Sequence, residues 1–217
     1  MRAQSAGESK MKTIEYVCTG NQGRSPVAEL IARNYLRKRD ALRDYNSASS
    51  GTLVDAIKAN NMPEAFMLTM IGVAKSRGDV YSPAKIQDID DIIHGKNIDA
   101  IKYYFGKAQE RFVAEERQFR LEILPLLGIE GELKRAREQT IVRPNALAVL
   151  SMAEGNNKQV AGIYATTEPK PVIDTLARCV GKGIDIPNAF GLPKEMYVAT
   201  VERLVELVPI SVDKLLR

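Results

Sequence analysis

Residues 18–30 read CTGNQGRSPVAEL, and this stretch determines how the rest of the chain is interpreted. A mostly apolar run over residues 14–17 precedes it and predicts a buried strand. After it, apolar residues recur every three or four positions from Val27, as on one face of a helix. A strand, a tight loop and a helix in this order present backbone N–H groups and a helix N-terminus to an anion. We therefore predict an anion-binding loop over residues 18–25.

Two side chains of this loop are suited to attack on phosphorus. Cys18 precedes a helix N-terminus, where electropositive surroundings favour a thiolate nucleophile. Arg24 follows after five intervening residues, and its guanidinium can bind two oxygens of a tetrahedral oxyanion. A cysteine that attacks while an arginine holds the equatorial oxygens gives a covalent route to phosphate ester hydrolysis.

The longer string VCTGNQGRSPVAE resembles the signature of the low-molecular-weight protein tyrosine phosphatases and of the related thioredoxin-coupled arsenate reductases. The resemblance implies a phosphotyrosine phosphatase I-like fold, a three-layer α/β sandwich around a four-stranded parallel sheet. It also implies that Cys18 is the nucleophile, that Arg24 clamps the phosphate, and that Ser25 donates a hydrogen bond to the thiolate. Asn21 would hold the loop in a left-handed conformation. Phosphate or sulfate would bind in the loop, whose other members are Thr19, Gly20, Gln22 and Gly23.

Two further segments bear on the resemblance. Residues 49–52, SSGT, resemble the Ser-Ala-Gly-Thr stretch of the family, in which Ser49 would hydrogen-bond Asn21 and support the loop. Residues 185–191, DIPNAFG, occupy the place of the family's Asp-Pro-Tyr motif, whose aspartate is the general acid. Asn188 stands where that acid is expected, and an amide cannot give a proton to the leaving oxygen. Asp185 is either a substitute general acid or a turn residue.

The pattern of elements predicts an α/β sandwich around a parallel sheet, with strands near residues 13–17, 45–49, 146–151 and 162–165. We expect a single phosphatase-like domain over residues 12–217, after a disordered leader over residues 1–11.

A helical insertion is predicted over about residues 81–143, with a long helix that ends near Pro125 and a short one over residues 130–139. Phe105, Phe112, Phe119 and Leu126 recur there every seven residues. This stripe either packs on the parent domain or forms a cap or a homodimer contact that controls access to the loop.

Composition excludes several classes of protein. No apolar run reaches the roughly 20 residues that a membrane span needs. The net charge of +4 favours anionic substrates, but aromatic residues do not interleave with the cations as a nucleic-acid surface requires. Cys18, Cys179 and the lone His94 cannot build a disulfide scaffold or a zinc site. We predict a cytoplasmic protein that needs no metal or cofactor and binds neither nucleic acid nor membranes.

The sequence favours a cysteine-dependent phosphatase that hydrolyses phosphate monoesters, on a phosphorylated protein or a small aryl phosphate, through phosphocysteine. Asn188 leaves open a non-catalytic module that binds phosphate or a phosphoprotein. The loop also leaves open arsenate reduction, for which Cys179 is the only further cysteine.

Overall fold

The computed structural model describes residues 11–133, 137–183 and 185–217, so the predicted leader lies outside the described residues except for Met11. A sheet of four parallel strands has the order β2-β1-β3-β4. The strands are β1 (Lys12–Cys18), β2 (Tyr45–Gly51), β3 (Ala146–Ser151) and β4 (Val172–Thr175). Strand β3 reads ALAVLS, a continuous apolar run of the kind that parallel strands need because helices cover both of their faces.

Eight helices accompany the sheet in the described part of the chain. They are α1 (Arg24–Lys38), α2 (Val54–Lys58), α3 (Glu64–Arg77), α4 (Pro83–His94), α5 (Ile98–Leu126), α6 (Glu154–Ile163), α7 (Leu176–Cys179) and α8 (Lys194–Leu215). Helix α1 connects β1 to β2 and α6 connects β3 to β4, in opposite directions along the sheet. Right-handed crossovers in opposite directions put the two helices on opposite faces, which confirms the predicted three-layer α/β sandwich.

The chain divides into two compact units. The first comprises residues up to Thr52 together with Glu130–Ile186 and Arg203–Arg217, and it contains the sheet and the loop after β1. The second comprises Leu53–Ile129 and Pro187–Glu202 and is helical. Residues 81–129 of the predicted insertion therefore lie in the second unit, and residues 130–133 and 137–143 lie in the first. The single domain over residues 12–217 stays a prediction.

The core of the second unit forms between α3 and α5. Phe105 and Phe112 of the stripe are buried there, whereas Leu126 is 80% exposed. The ring of Phe112 packs edge-on against Phe190, with 5.6 Å between centroids, in a segment that turns at Gly191.

Two elements differ from the sequence prediction. The strand predicted over residues 162–165 is wrong, because α6 continues to Ile163 and the fourth strand is β4. The helix predicted over residues 130–139 is also wrong in its described part, because Gln139 pairs with Gly51 as a β-bridge at the end of β2. Pairing with a neighbouring strand overrides the local helical pattern there.

Helices α5 and α8 are long, yet neither they nor any other helix in the described ranges carries the apolar stretch that crossing a bilayer requires.

Candidate active site

The predicted loop lies at the carboxyl end of the central strand β1. Cys18 is the last residue of β1 and is only 4% exposed. Its carbonyl oxygen accepts a hydrogen bond from Thr52 N at 3.0 Å, and the carbonyl of Val17 accepts one from Met152 N at 2.7 Å. The chains that leave β2 and β3 thus fix the backbone on both sides of the cysteine. Ligands of parallel α/β sheets bind at this edge.

The buried hydroxyl of Ser25 lies against the sulfur of Cys18. Its Oγ is 3.0 Å from the Sγ of Cys18, 3.2 Å from the Oδ1 of Asn21 and 3.1 Å from the carbonyl oxygen of Ser50. One hydroxyl proton can serve one of these acceptors at a time. The serine is therefore placed to donate to the sulfur or, when the sulfur needs no donor, to the loop and β2.

Asn21 adopts the left-handed conformation predicted for it, with φ +46°. Its side-chain amide donates to the carbonyl oxygen of Ser49 at 3.4 Å. The Ser49 hydroxyl instead donates to the Oε2 of buried Glu29 at 2.6 Å. Ser49 thus supports the loop through its backbone, and its hydroxyl links β2 to α1.

Arg24 is the first residue of α1, and its Nη1 donates to the carbonyl oxygen of Ile186 at 2.9 Å. The Ile186 N–H in turn donates to the carbonyl of Met152 at 2.9 Å. The guanidinium is therefore held by a segment anchored to the end of β3.

Asp185 directly precedes Ile186, which contacts Arg24, but the Asp185 carboxylate is hydrogen-bonded to the start of α6. The exposed Asp185 accepts a hydrogen bond through Oδ2 from the N–H of Glu154, the first residue of α6, at 3.1 Å. A carboxylate there complements the positive end of the helix dipole. Asn188 lies in the second unit and is exposed.

Two residues at the loop escaped the sequence interpretation. Asn156, in the first turn of α6, is buried and donates to the hydroxyls of Thr19 and Thr52, each at 3.2 Å. Arg137 donates through Nη2 to the side-chain oxygen of Gln22. A polar residue just after β3 is a signal that could have marked Asn156, whereas no pattern near residue 137 points to the loop.

Cys179 lies at the end of α7 and is buried. Burial raises the pKa of its thiol above the ordinary value, because ionisation in an apolar environment is unfavourable. This environment suits the small buried hydrophobe predicted from its helix-like surroundings better than a reactive thiol.

Comparison with known proteins agrees with this geometry. Residues 13–114 match the sequence profile of the family described as low molecular weight phosphotyrosine protein phosphatase. No curated protein gives a significant match to the chain.

Solved structures of similar fold include a YwlE mutant from Bacillus subtilis, with 18% identity, a TM-score of 0.56 and coverage of 95% of this chain and 99% of that one. A low molecular weight protein tyrosine phosphatase from T. tengcongensis has 19% identity, a TM-score of 0.52 and coverage of 94% and 99%. Wzb from Vibrio vulnificus, solved with benzylphosphonate, has 15% identity, a TM-score of 0.51 and coverage of 91% and 94%. At these identities the similarity establishes the fold.

Proposed function

We propose that the chain, whose residues 13–114 match the low molecular weight phosphotyrosine protein phosphatase family, is a cysteine-dependent phosphatase of that family with Cys18 as its nucleophile. The observation that supports this assignment best is the 3.0 Å contact between the Cys18 sulfur and the Ser25 hydroxyl at the end of the central strand. A neutral hydrogen-bond donor at that distance stabilises the thiolate before it attacks phosphorus and again when it leaves phosphocysteine.

The reaction follows from these positions. The Cys18 sulfur attacks phosphorus in line, an S–P bond forms, and the O–P bond to the leaving group breaks with its electron pair on oxygen. Arg24 and the loop backbone bind the equatorial oxygens, where negative charge is concentrated in the transition state. Water then attacks phosphocysteine, the S–P bond breaks, and Ser25 donates to the departing thiolate.

The source of the leaving-group proton is the finer part of the proposal. Asp185 is the candidate acid in the first unit, and its backbone neighbour Ile186 contacts Arg24. Asp185→Asn gives a clean test, because an asparagine oxygen can still accept from the N–H of Glu154 while the acid is lost. If Asp185 is the acid, hydrolysis of phosphotyrosine slows by roughly 100-fold or more, while nitrophenyl phosphate, which needs no proton, is nearly unaffected.

The opposite result assigns Asp185 to the end of α6 alone. Both substrates are then hydrolysed as by the parent protein, and Asn188→Asp accelerates the hydrolysis of phosphotyrosine by restoring the expected acid. Equal slowing of both substrates by Asp185→Asn contradicts each version.

The activity itself is tested with nitrophenyl phosphate, whose good leaving group makes hydrolysis least dependent on an acid. We expect turnover by the parent protein and none by Cys18→Ser. Arg24→Lys should bind vanadate far more weakly, because an ammonium cannot reproduce the two-pronged grip of a guanidinium. A parent protein that binds vanadate but never releases nitrophenol would be a binding module and not an enzyme.

The substrate class needs its own comparison. Similar folds carry the names of protein tyrosine phosphatases and of a YwlE arginine phosphatase, the latter solved as a cysteine-to-serine mutant with a phosphorylated active-site serine. We propose an aryl phosphate monoester, on protein phosphotyrosine or on a small molecule. Turnover of a phosphotyrosine peptide beside a phosphoarginine peptide tests the choice. The cytoplasmic location and a homodimer through the insertion stay predictions.

A further inference from the structure

We propose that Arg137 makes this phosphatase prefer substrates that carry a second negative charge on the leaving group. The inference rests on the proposed function and adds a specificity-determining residue to it. Its basis is the contact between the Arg137 guanidinium and the side-chain oxygen of Gln22, a member of the loop between Cys18 and Arg24. A cation from a distant part of the chain therefore lies at the rim of the phosphate loop.

The segment that carries Arg137 is fixed to the end of β2. Gly51 N donates to the carbonyl of Glu138 at 2.9 Å, and Thr140 N donates to the carbonyl of Gly51 at 3.0 Å. The side chain of Gln139 adds a bond to the carbonyl of Thr52 at 3.0 Å. These bonds extend the edge of the sheet by one bridged residue and hold the backbone next to Arg137 in place.

Charge explains why an arginine at this position selects among substrates. The scissile phosphate is held by Arg24 and the loop, whereas Arg137 contacts the side chain of Gln22. A group that meets Arg137 is therefore displaced from the scissile phosphate by about one side-chain length and belongs to the leaving group. A carboxylate or a second phosphate suits a guanidinium, which binds both through paired hydrogen bonds.

The same chemistry comes from two sources. It is an acidic residue beside phosphotyrosine in a peptide, or a carboxylate on a small aryl phosphate. Two matched substrate pairs separate them: phenyl phosphate with carboxyphenyl phosphate, and a phosphotyrosine peptide flanked by glutamine with one flanked by glutamate.

The decisive variant is Arg137→Met, which removes the charge and retains an unbranched side chain. We expect kcat/KM for the acidic member of at least one pair to fall roughly 10- to 100-fold, the range for one charge-assisted hydrogen bond. The neutral member should change less than about 3-fold, and added salt should reduce the preference of the parent protein. The pair that responds identifies the source.

Lys38→Met is the matched control. It removes the same charge from the C-terminal end of α1, about 20 Å along the helix axis from Arg24 and thus beyond one Debye length at ordinary salt. It should leave the ratio between the members of each pair unchanged. A second variant, Gln22→Leu, keeps the charge of Arg137 and should retain the preference for the acidic substrates.

Three results would overturn the inference. If Arg137→Met slows the hydrolysis of both members of each pair equally, and Gln22→Leu does the same, Arg137 only supports the loop. If Lys38→Met lowers the ratio of kcat/KM between the acidic and neutral members as much as Arg137→Met does, the preference is a general effect of net charge. A parent protein without preference for the acidic members leaves Arg137 without this role.

A binding measurement separates failure of the inference from failure of the proposed function. Calorimetry compares benzylphosphonate with its carboxylated analogue on the parent protein, Arg137→Met and Lys38→Met. Binding of both with equal affinity, together with turnover of phenyl phosphate, refutes the inference alone. If the parent protein binds neither phosphonate and hydrolyses no substrate, both proposals are refuted.

Discussion

Replacing Gly191 by alanine should destabilise the second unit strongly, because two separate costs meet at this position. The residue has φ +79°, a left-handed conformation that costs a non-glycine residue about 1–2 kcal/mol. A Cβ built on its backbone would lie 2.6, 2.7 and 2.9 Å from three ring carbons of Phe112. Ordinary van der Waals contact begins at 3.4 Å, so the ring would have to move by more than half an ångström.

The ring has little room for such a movement. Phe112 is 1% exposed, packs edge-on against Phe190, and has the guanidinium of Arg77 5.4 Å from its centroid. Arg77 also binds Glu115 at 2.6 Å and donates to the carbonyl of Gly191. Overpacking of this kind costs typically 1–3 kcal/mol, which brings the expected loss for Gly191→Ala to about 2–5 kcal/mol.

Two further glycines of the same unit separate the two costs. Gly78 has φ +73° with no atom within 4 Å of an added Cβ, so Gly78→Ala should lose only the roughly 1–2 kcal/mol of backbone strain. Gly72 lies inside α3, also in open space, and Gly72→Ala should gain about 0.5–1 kcal/mol. Denaturant unfolding of the four proteins, followed by far-UV circular dichroism, gives the free energies. A loss for Gly191→Ala within about 0.5 kcal/mol of that for Gly78→Ala would refute the packing argument.

Three other predictions concern the first unit. Ser25→Ala should slow the breakdown of phosphocysteine by about 10-fold, because the variant loses one hydrogen bond to the departing sulfur. Rapid-mixing kinetics should then show a burst of nitrophenol, and an unchanged kcat would count against this role of Ser25. Since burial raises the pKa of Cys179, alkylation of this thiol should stay negligible at neutral pH and begin only above the range in which an ordinary thiol ionises. Peptide mapping by mass spectrometry over a pH series measures the alkylation, and rapid labelling near pH 7 would contradict the prediction. Arg143→Met should lower the free energy of unfolding by about 3–5 kcal/mol, because it leaves the buried carboxylate of Glu15 without its cation. Glu15 is 0% exposed and lies 3.1 Å from the Arg143 guanidinium. The double variant with Glu15→Gln should recover much of the loss, and strict additivity of the two free-energy changes would argue against the pair.

The phosphate loop could be predicted because its geometry is local. Cys18 and Ser25 are seven positions apart, and a strand, a tight loop and a helix bring them together with little help from the rest of the chain. The left-handed Asn21 was implied by the family resemblance, and asparagine tolerates that conformation. The apolar run of β3 likewise predicted a strand covered on both faces.

Tertiary structure alone decided the contacts between segments distant in sequence. Residues 137–139 have a helical pattern, but the free end of β2 offers backbone partners, and pairing there brings Arg137 to Gln22. Asp185 reads as an acid or a turn residue, and only the position of α6 shows that its carboxylate meets a helix N-terminus. Glu15 gives no sign in the sequence of how a buried strand tolerates its charge, because its partner Arg143 lies on another segment. Spacing along the chain fixes local geometry, whereas the partner of a side chain depends on which segments pack beside it.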